Sequence, residues 1–198
     1  MTTLTPSPIA VTRDVIYKHE PDHNLPLDIY EPSSYLATVV DIHGGGWFHG
    51  DKATDEDLAT RLAHSGFRVV VPNYRLTPEH HFPVEVDDAL DAGLRAQSTE
   101  REGSKRVPFL GSFAGGNLAL EAAPATGQPD VSWSGPIYMA NSIGEFVPPR
   151  RRVRHATDAP RCWCRIDRAL IPVTQHAKGY MDVTFESSVT FLERTLDV

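Results

Sequence analysis

Residues 111–117 read Gly-Ser-Phe-Ala-Gly-Gly-Asn, one side chain away from a turn that presents a nucleophilic serine. In the pattern G-x-S-x-G the serine occupies the middle of a strained strand-to-helix turn, with small residues two before and two after it. Here the glycines fall at 111 and 115, so the middle position is Phe113. A phenyl ring has no lone pair and no transferable proton, and it forms no acyl intermediate. The turn's one hydroxyl belongs to Ser112, a position early. Sliding the turn to bring Ser112 to its apex would set Leu110 and Ala114 at the two small-residue positions. Leu110 would crowd the turn there, and a one-residue slip would flip side chains across the strand. A second chemical stretch, His43-Gly44-Gly45-Gly46-Trp47, follows an apolar run. Glycines there let backbone N–H groups turn toward an oxyanion, because no side chain blocks the approach and positive φ is open to them. The plain alternative is a tight glycine turn without function.

The elements that must position these stretches are readable from periodicity. Residues 11–18 and 25–30 alternate, with Pro21 and Asn24 between them, and predict an antiparallel hairpin. Residues 36–42 form an apolar run rich in β-branched side chains, a strand buried on both faces. Helical spacing over 54–65 ends at Gly66, and 67–71 is the next buried strand. A second helix is expected over 84–97, a short strand over 107–110, and a helix over 117–123. Strand and helix alternate as in a parallel sheet with right-handed crossovers. Beyond Pro124 the pattern weakens: a strand over 133–139, loop over 144–168, and an amphipathic helix over 183–195.

With His43–Trp47, the Asn73-Tyr74-Arg75-Leu76-Thr77-Pro78-Glu79 stretch followed by Phe82-Pro83, and the 111–117 turn, the chain resembles the bacterial hormone-sensitive-lipase-like branch of the α/β-hydrolase fold. The resemblance covers roughly residues 11–140. It implies one α/β-hydrolase domain over residues 1–198, with a mostly parallel central sheet, helices on both faces, an N-terminal antiparallel hairpin and a compact or incomplete C-terminal part. It also implies a carboxylic-ester hydrolase, esterase or lipase-like, in which serine attacks an acyl carbonyl, histidine shuttles the proton and an acid orients the histidine. Amides of Gly45, Gly46 and Ala114 would form the oxyanion hole. Chain order in such folds is nucleophile, acid, histidine. By position in the family, Asp158 is the acid, with Asp167 as alternative, and His176 is the histidine, with His155 behind it. Ser112 is the remaining candidate nucleophile.

Two departures qualify the resemblance. The apex residue is Phe113, and the C-terminal third is compressed: positions 113 and 158 lie 45 apart, and 158 and 176 only 18. A crossover takes at least ~10–12 residues, so an element of the sheet is expected to be missing or replaced by irregular chain around residues 150–165. The second reading is therefore a hydrolase-fold pseudoenzyme, or an engineered variant, that binds small acyl or aromatic ligands without turning them over. An edge exposed by a missing strand would favour a homo-oligomer.

Composition bounds the rest. The net charge of −7 argues against nucleic acid and against an anionic membrane surface as partner, and the resemblance implies a small-molecule ester or acyl substrate. The polar N-terminus lacks a signal-peptide core, and no run approaches the roughly 20 apolar residues of a membrane span. Cys162 and Cys164 flank Trp163, a poor geometry for a disulfide, and read as reduced thiols of a cytoplasmic protein. No cofactor is expected: there is no P-loop, no G-x-G-x-x-G after a strand and no H-E-x-x-H, and the two cysteines alone would need outside ligands to hold a metal.

Overall fold

The computed structural model describes residues 8–100, 106–133, 135 and 185–196. Its six strands are β1 (Ile9–His19), β2 (Asn24–Pro32), β3 (Ala37–Ile42), β4 (Phe67–Pro72), β5 (Phe109–Ser112) and β6 (Asp130–Trp133). They form one sheet in the order β1-β2-β4-β3-β5-β6. The hairpin is antiparallel to itself and to β4, whereas β3 pairs in parallel with β4 and β5, and β5 with β6. Four helices accompany it: α1 (Glu56–His64), α2 (Val84–Ser98), α3 (Ala114–Thr126) and α4 (Phe185–Leu196).

The apolar run of β3 and its neighbour β4 are buried along their whole lengths, as strands covered on both faces must be. One core joins Val40, Ile42, Val70 and Phe109 to the alanines of α2 and α3. The opposite core joins Val39, Val69, Leu110 and Val131 to α1 and to Leu192 of α4. The tip of α4 is fixed by Arg61 of α1, whose guanidinium lies 4.2 Å from the Phe185 ring centroid, and by Trp133, whose indole N–H donates to Ser188 Oγ at 2.8 Å.

The hairpin's outer strand β1 is mostly exposed, so packing alone does not hold it. Ion pairs do. Asp28 of β2, fully buried, receives Arg13 at 2.9 Å and Lys52 at 2.8 Å. Asp88 of α2, equally buried, receives Lys18 and Arg75, both at 2.7 Å. Burial pushes both carboxyls toward protonation, but hydrogen bonds from these cations outweigh it and hold both below the usual carboxylate range.

Several expected boundaries are corrected. The helix expected over 54–65 divides into a 3-10 turn, Lys52–Asp55, capped by Asp51, and α1. The strand expected over 107–110 runs Phe109–Ser112, reaching the turn itself. The helix expected from 117 starts at Ala114, because its first turn holds Gly115, packed on β3, and Gly116, packed on β5 and β6, which give a weak helical signal. The last described strand, Asp130–Trp133, begins before the expected start at 133; its polar Asp-Val-Ser-Trp sequence hides it, and pairing with Phe109–Ser112 defines it. Residues 136–139, the loop expected over 144–168 and both cysteines lie outside the described residues. Among the described residues no helix is long and apolar enough to cross a membrane.

Candidate active site

The glycine loop leaves β3 at His43, whose side chain is buried. Its Nδ1–H donates to the carbonyl of Gly44 at 2.7 Å, and burial pushes the ring toward the neutral form. Gly45 (φ +129°) and Gly46 (φ +64°) then turn through backbone conformations that a side chain resists. Amides of Phe48 and His49 close the turn on the carbonyl of Gly45 at 3.3 and 3.2 Å.

Residues 73–77 buttress this loop from the side. Tyr74 stacks on the His43 ring, centroids 4.4 Å apart, and its hydroxyl donates to the His43 carbonyl at 3.0 Å. Thr77 gives two donors to the carbonyl of Trp47, its amide at 2.8 Å and its hydroxyl at 3.1 Å. Asn73 Oδ1 accepts from the Lys52 amide at 2.7 Å. Arg75 anchors the buttress by three hydrogen bonds to Asp88, from its amide at 3.0 Å and from its guanidinium at 2.9 and 2.7 Å. The Asn-Tyr-Arg-Leu-Thr-Pro-Glu stretch thus acts on the loop at a distance in sequence. In the sequence it carries the family resemblance without revealing these contacts, which arise only in the packed chain.

The elbow follows β5. Phe113 stands at its apex with φ +50° and ψ −116°, and α3 begins at the next residue. Its amide donates to the Trp133 carbonyl at 2.8 Å and its carbonyl accepts from Asn117 at 3.1 Å. The turn is therefore not slid: Phe113, 66% exposed, stands at its apex, and Ser112 is the last residue of β5. A Cβ on Gly115 would overlap the carbonyl of Ile42, so α3 starts in backbone contact with β3.

Loop and elbow meet. A Cβ on Gly44 would lie 3.0 Å from the Ser112 carbonyl oxygen, 3.3 Å from Ser112 Oγ and 3.5 Å from the Phe113 Cβ. Among the described residues, the amides of Gly45, Gly46 and Ala114 donate to no backbone carbonyl. A strained strand-to-helix turn beside a glycine loop, at the ends of the neighbouring parallel strands β3 and β5, is the arrangement of turns expected from the sequence. The family model for the alpha/beta hydrolase fold matches residues 39–152, which hold both turns. The chain belongs to the alpha/beta hydrolase fold family.

Relatives of this chain carry the names of esterases and deacetylases. It is 40% identical over 113 residues to arylacetamide deacetylase of Oryctolagus cuniculus, covering 51% of this chain and 28% of that protein. It is 34% identical over 117 residues to an arylesterase of Saccharolobus solfataricus, covering 56% of this chain and 38% of that protein. Among solved structures, an esterase of Pyrobaculum calidifontis superposes with a TM-score of 0.53 at 32% identity, over 62% of this chain and 42% of that one. The matched stretch thus spans well under half the length of the relatives.

Of the hydrolase residues expected from sequence, the structure brings Ser112, Phe113 and Ala114 to the elbow and Gly45 and Gly46 to the facing loop. Asp158 and His176 lie outside the described residues, as do the alternatives His155 and Asp167. No three His, Cys, Asp or Glu side chains gather as metal donors among the described residues.

Proposed function

We propose that the chain binds small carboxylic esters and hydrolyses them by acyl transfer at the junction of loop and elbow. The ester carbonyl oxygen is received by the amides of Gly45, Gly46 and Ala114, where charge develops in the tetrahedral intermediate. Ser112 supplies the nucleophilic hydroxyl, His176 takes its proton and later returns it to the leaving alkoxide, and Asp158 orients the imidazole. The observation that carries this reading is the approach of Ser112 Oγ to the first residue of the glycine loop. The names of the relatives, arylesterase and arylacetamide deacetylase, support aryl or acetyl esters as the substrate class. The reaction is confined to small-molecule partners and calls for no cofactor.

One observation favours a second reading, binding without turnover: the apex itself is a phenyl ring, exposed toward the solvent side of the elbow. Hydrolysis of p-nitrophenyl acetate separates the two. Under the first reading wild type hydrolyses the ester above buffer, Ser112→Ala abolishes that rate, and His176→Ala lowers it. Placing a hydroxyl at the strained apex with Phe113→Ser is expected to raise the rate by at least about 10²-fold, the usual worth of an aligned nucleophile and base. Equal rates in wild type and Ser112→Ala would exclude Ser112. If Phe113→Ser still gains activity in that case, the chain carries an assembled cradle that binds acyl ligands and lacks only its nucleophile.

A further inference from the structure

Trp47, which closes the glycine loop, turns at φ +68°, a conformation that a bulky side chain resists. Such a residue persists only where its surroundings hold it. The loop's own closing bonds are long, 3.3 and 3.2 Å from the amides of Phe48 and His49 to the carbonyl of Gly45. The firmer hold comes from Thr77, whose amide and hydroxyl both donate to the Trp47 carbonyl, at 2.8 and 3.1 Å. Thr77 is in turn only as fixed as the strip 73–77 that carries it.

The strip is held from a second direction, at Arg75, between Tyr74 and Thr77. Among the described residues, four donors converge on Asp88 of α2, which is fully buried. One carboxylate oxygen accepts from the Arg75 amide and from Arg75 Nε, at 3.0 and 2.9 Å. The other accepts from the terminal nitrogen of the same guanidinium and from Lys18 Nζ, both at 2.7 Å. Through the amide, Asp88 fixes the backbone of the strip and not merely a side chain; through the guanidinium it does so with the directionality of a fork on a carboxylate. Lys18 belongs to β1 and also meets Asp91 of α2 at 2.7 Å, while Glu20, just past the end of β1, reaches Arg75 at 3.3 Å. The hairpin grips the strip directly as well. The Tyr17 hydroxyl donates to the Asn73 carbonyl at 2.6 Å, and the Asn73 amide to the Pro26 carbonyl at 2.9 Å.

We propose that Asp88 is a positioning residue for the glycine loop, acting through the Arg75 backbone to set the strip on which Tyr74 and Thr77 hold His43 and Trp47, and that Lys18 makes the N-terminal hairpin part of the same device. Its consequence for catalysis rests on the reading of the loop as the oxyanion cradle, whereas the coupling acts on loop geometry whether or not an ester is turned over.

An ion pair that only stabilises the fold behaves differently, and Arg68 of β4 supplies the comparison. It is buried, meets Glu31 at 2.9 Å, and lies at the opposite end of β4 from the strip. Arg68→Met should lower the Tm and leave the loop as it was. Asp88→Asn keeps the size of the side chain but turns one oxygen into an NH2 that accepts from neither cation, and it removes the charge that pairs them. Asp88→Glu restores the charge and both acceptors.

Trp47 itself reports the outcome. The test follows tryptophan emission and its quenching by iodide in the full chain, each variant beside the same variant carrying Trp47→Phe to isolate the signal, together with thermal melts. Asp88→Asn is expected to shift the Trp47 emission and raise its quenching, and Asp88→Glu to restore part of both. Adding Thr77→Val to Asp88→Asn should move Trp47 no further, because the two changes act along one path. In the Phe113→Ser background, Asp88→Asn should lower kcat for p-nitrophenyl acetate by about 10²-fold and move KM far less. An oxyanion contact is realised in the transition state, and a misplacement of ~1 Å costs about that much. A Trp47 signal in Asp88→Asn that matches wild type, or that shifts no more than in Arg68→Met, would overturn the proposal. If Asp88→Asn does not fold, Lys18→Met decides: it removes one of the four donors and should shift Trp47 in the same sense by less, and an unshifted signal there overturns the proposal equally. A shifted Trp47 signal with unchanged kcat, or with an inert Phe113→Ser protein, would count against the ester-hydrolase reading of the loop alone.

Discussion

The molecule makes two sharp turns side by side, and they distribute backbone strain differently. After β3 the positive φ angles run over Gly45, Gly46 and Trp47, and the first two of these residues have no Cβ to suffer from them. After β5 the positive φ falls on Phe113, a residue that resists it. Strain at a non-glycine apex is ordinarily tied to a chemical task there. Here the elbow keeps its shape while the side chain it presents cannot do that task. The fold, not the apex side chain, dictates the turn: Gly115 seats α3 against β3, Asn117 donates to the Phe113 carbonyl, and the Phe113 amide is tied to Trp133. Shape and chemistry are thus separable at this site, and substitutions can be chosen to separate them further.

The largest effect is expected at the contact that joins the two turns. In Gly115→Ala the added methyl would overlap the carbonyl of Ile42 and press on that of His43, backbone atoms of a fully buried strand end that have nowhere to move. Overpacking against fixed backbone costs upwards of about 3 kcal/mol, so urea denaturation should show a large drop in midpoint or no folded protein at all. A near-native midpoint would mean that loop and elbow are coupled less tightly than the geometry indicates.

A smaller loss is expected within the loop alone. Gly45→Ala would drive its methyl into the carbonyl of His49 at a φ of +129°. Gly45 is half-buried and His49 exposed, so the turn can shift in a way that β3 cannot. A cost of about 2 kcal/mol follows from the strained backbone and partial relaxation. The companion readout is ester hydrolysis in the Phe113→Ser background. A Gly45→Ala change that lowers stability without lowering that rate would remove Gly45 from the cradle.

How much of this was legible before folding differs between the two turns for physical reasons. The loop announced itself, because a β-branched apolar run followed by histidine and three glycines admits few structures. The elbow was legible through its glycine spacing despite the phenylalanine, and Leu110 argued correctly against a slid turn. What stayed hidden was long-range or compositionally disguised. Tyr74 and Thr77 hold the loop through contacts some 30 residues away in sequence, which periodicity does not encode. The start of α3 was masked by glycines, and β6 by its polar residues. Asp158 and His176 rest on family position, and the described residues do not reach them.

The smallest effect has the opposite sign and tests the comparison most directly. Phe113→Gly would give the elbow the same relief that Gly45 and Gly46 give the loop. Holding a non-glycine residue at φ +50°, ψ −116° costs about 1–3 kcal/mol, while glycine adds roughly 0.5–1 kcal/mol of unfolded-state entropy. The ring is 66% exposed, so its removal forfeits little apolar burial. The balance is a gain of about 1 kcal/mol, read as a modest rise in urea midpoint with unchanged slope. Phe113→Ser should show no such gain, because serine bears the same strained backbone. A stability gain in the glycine variant alone would assign the strain to the apex; a loss in both would show that the ring is held by contacts and that the elbow has been adapted to its phenylalanine.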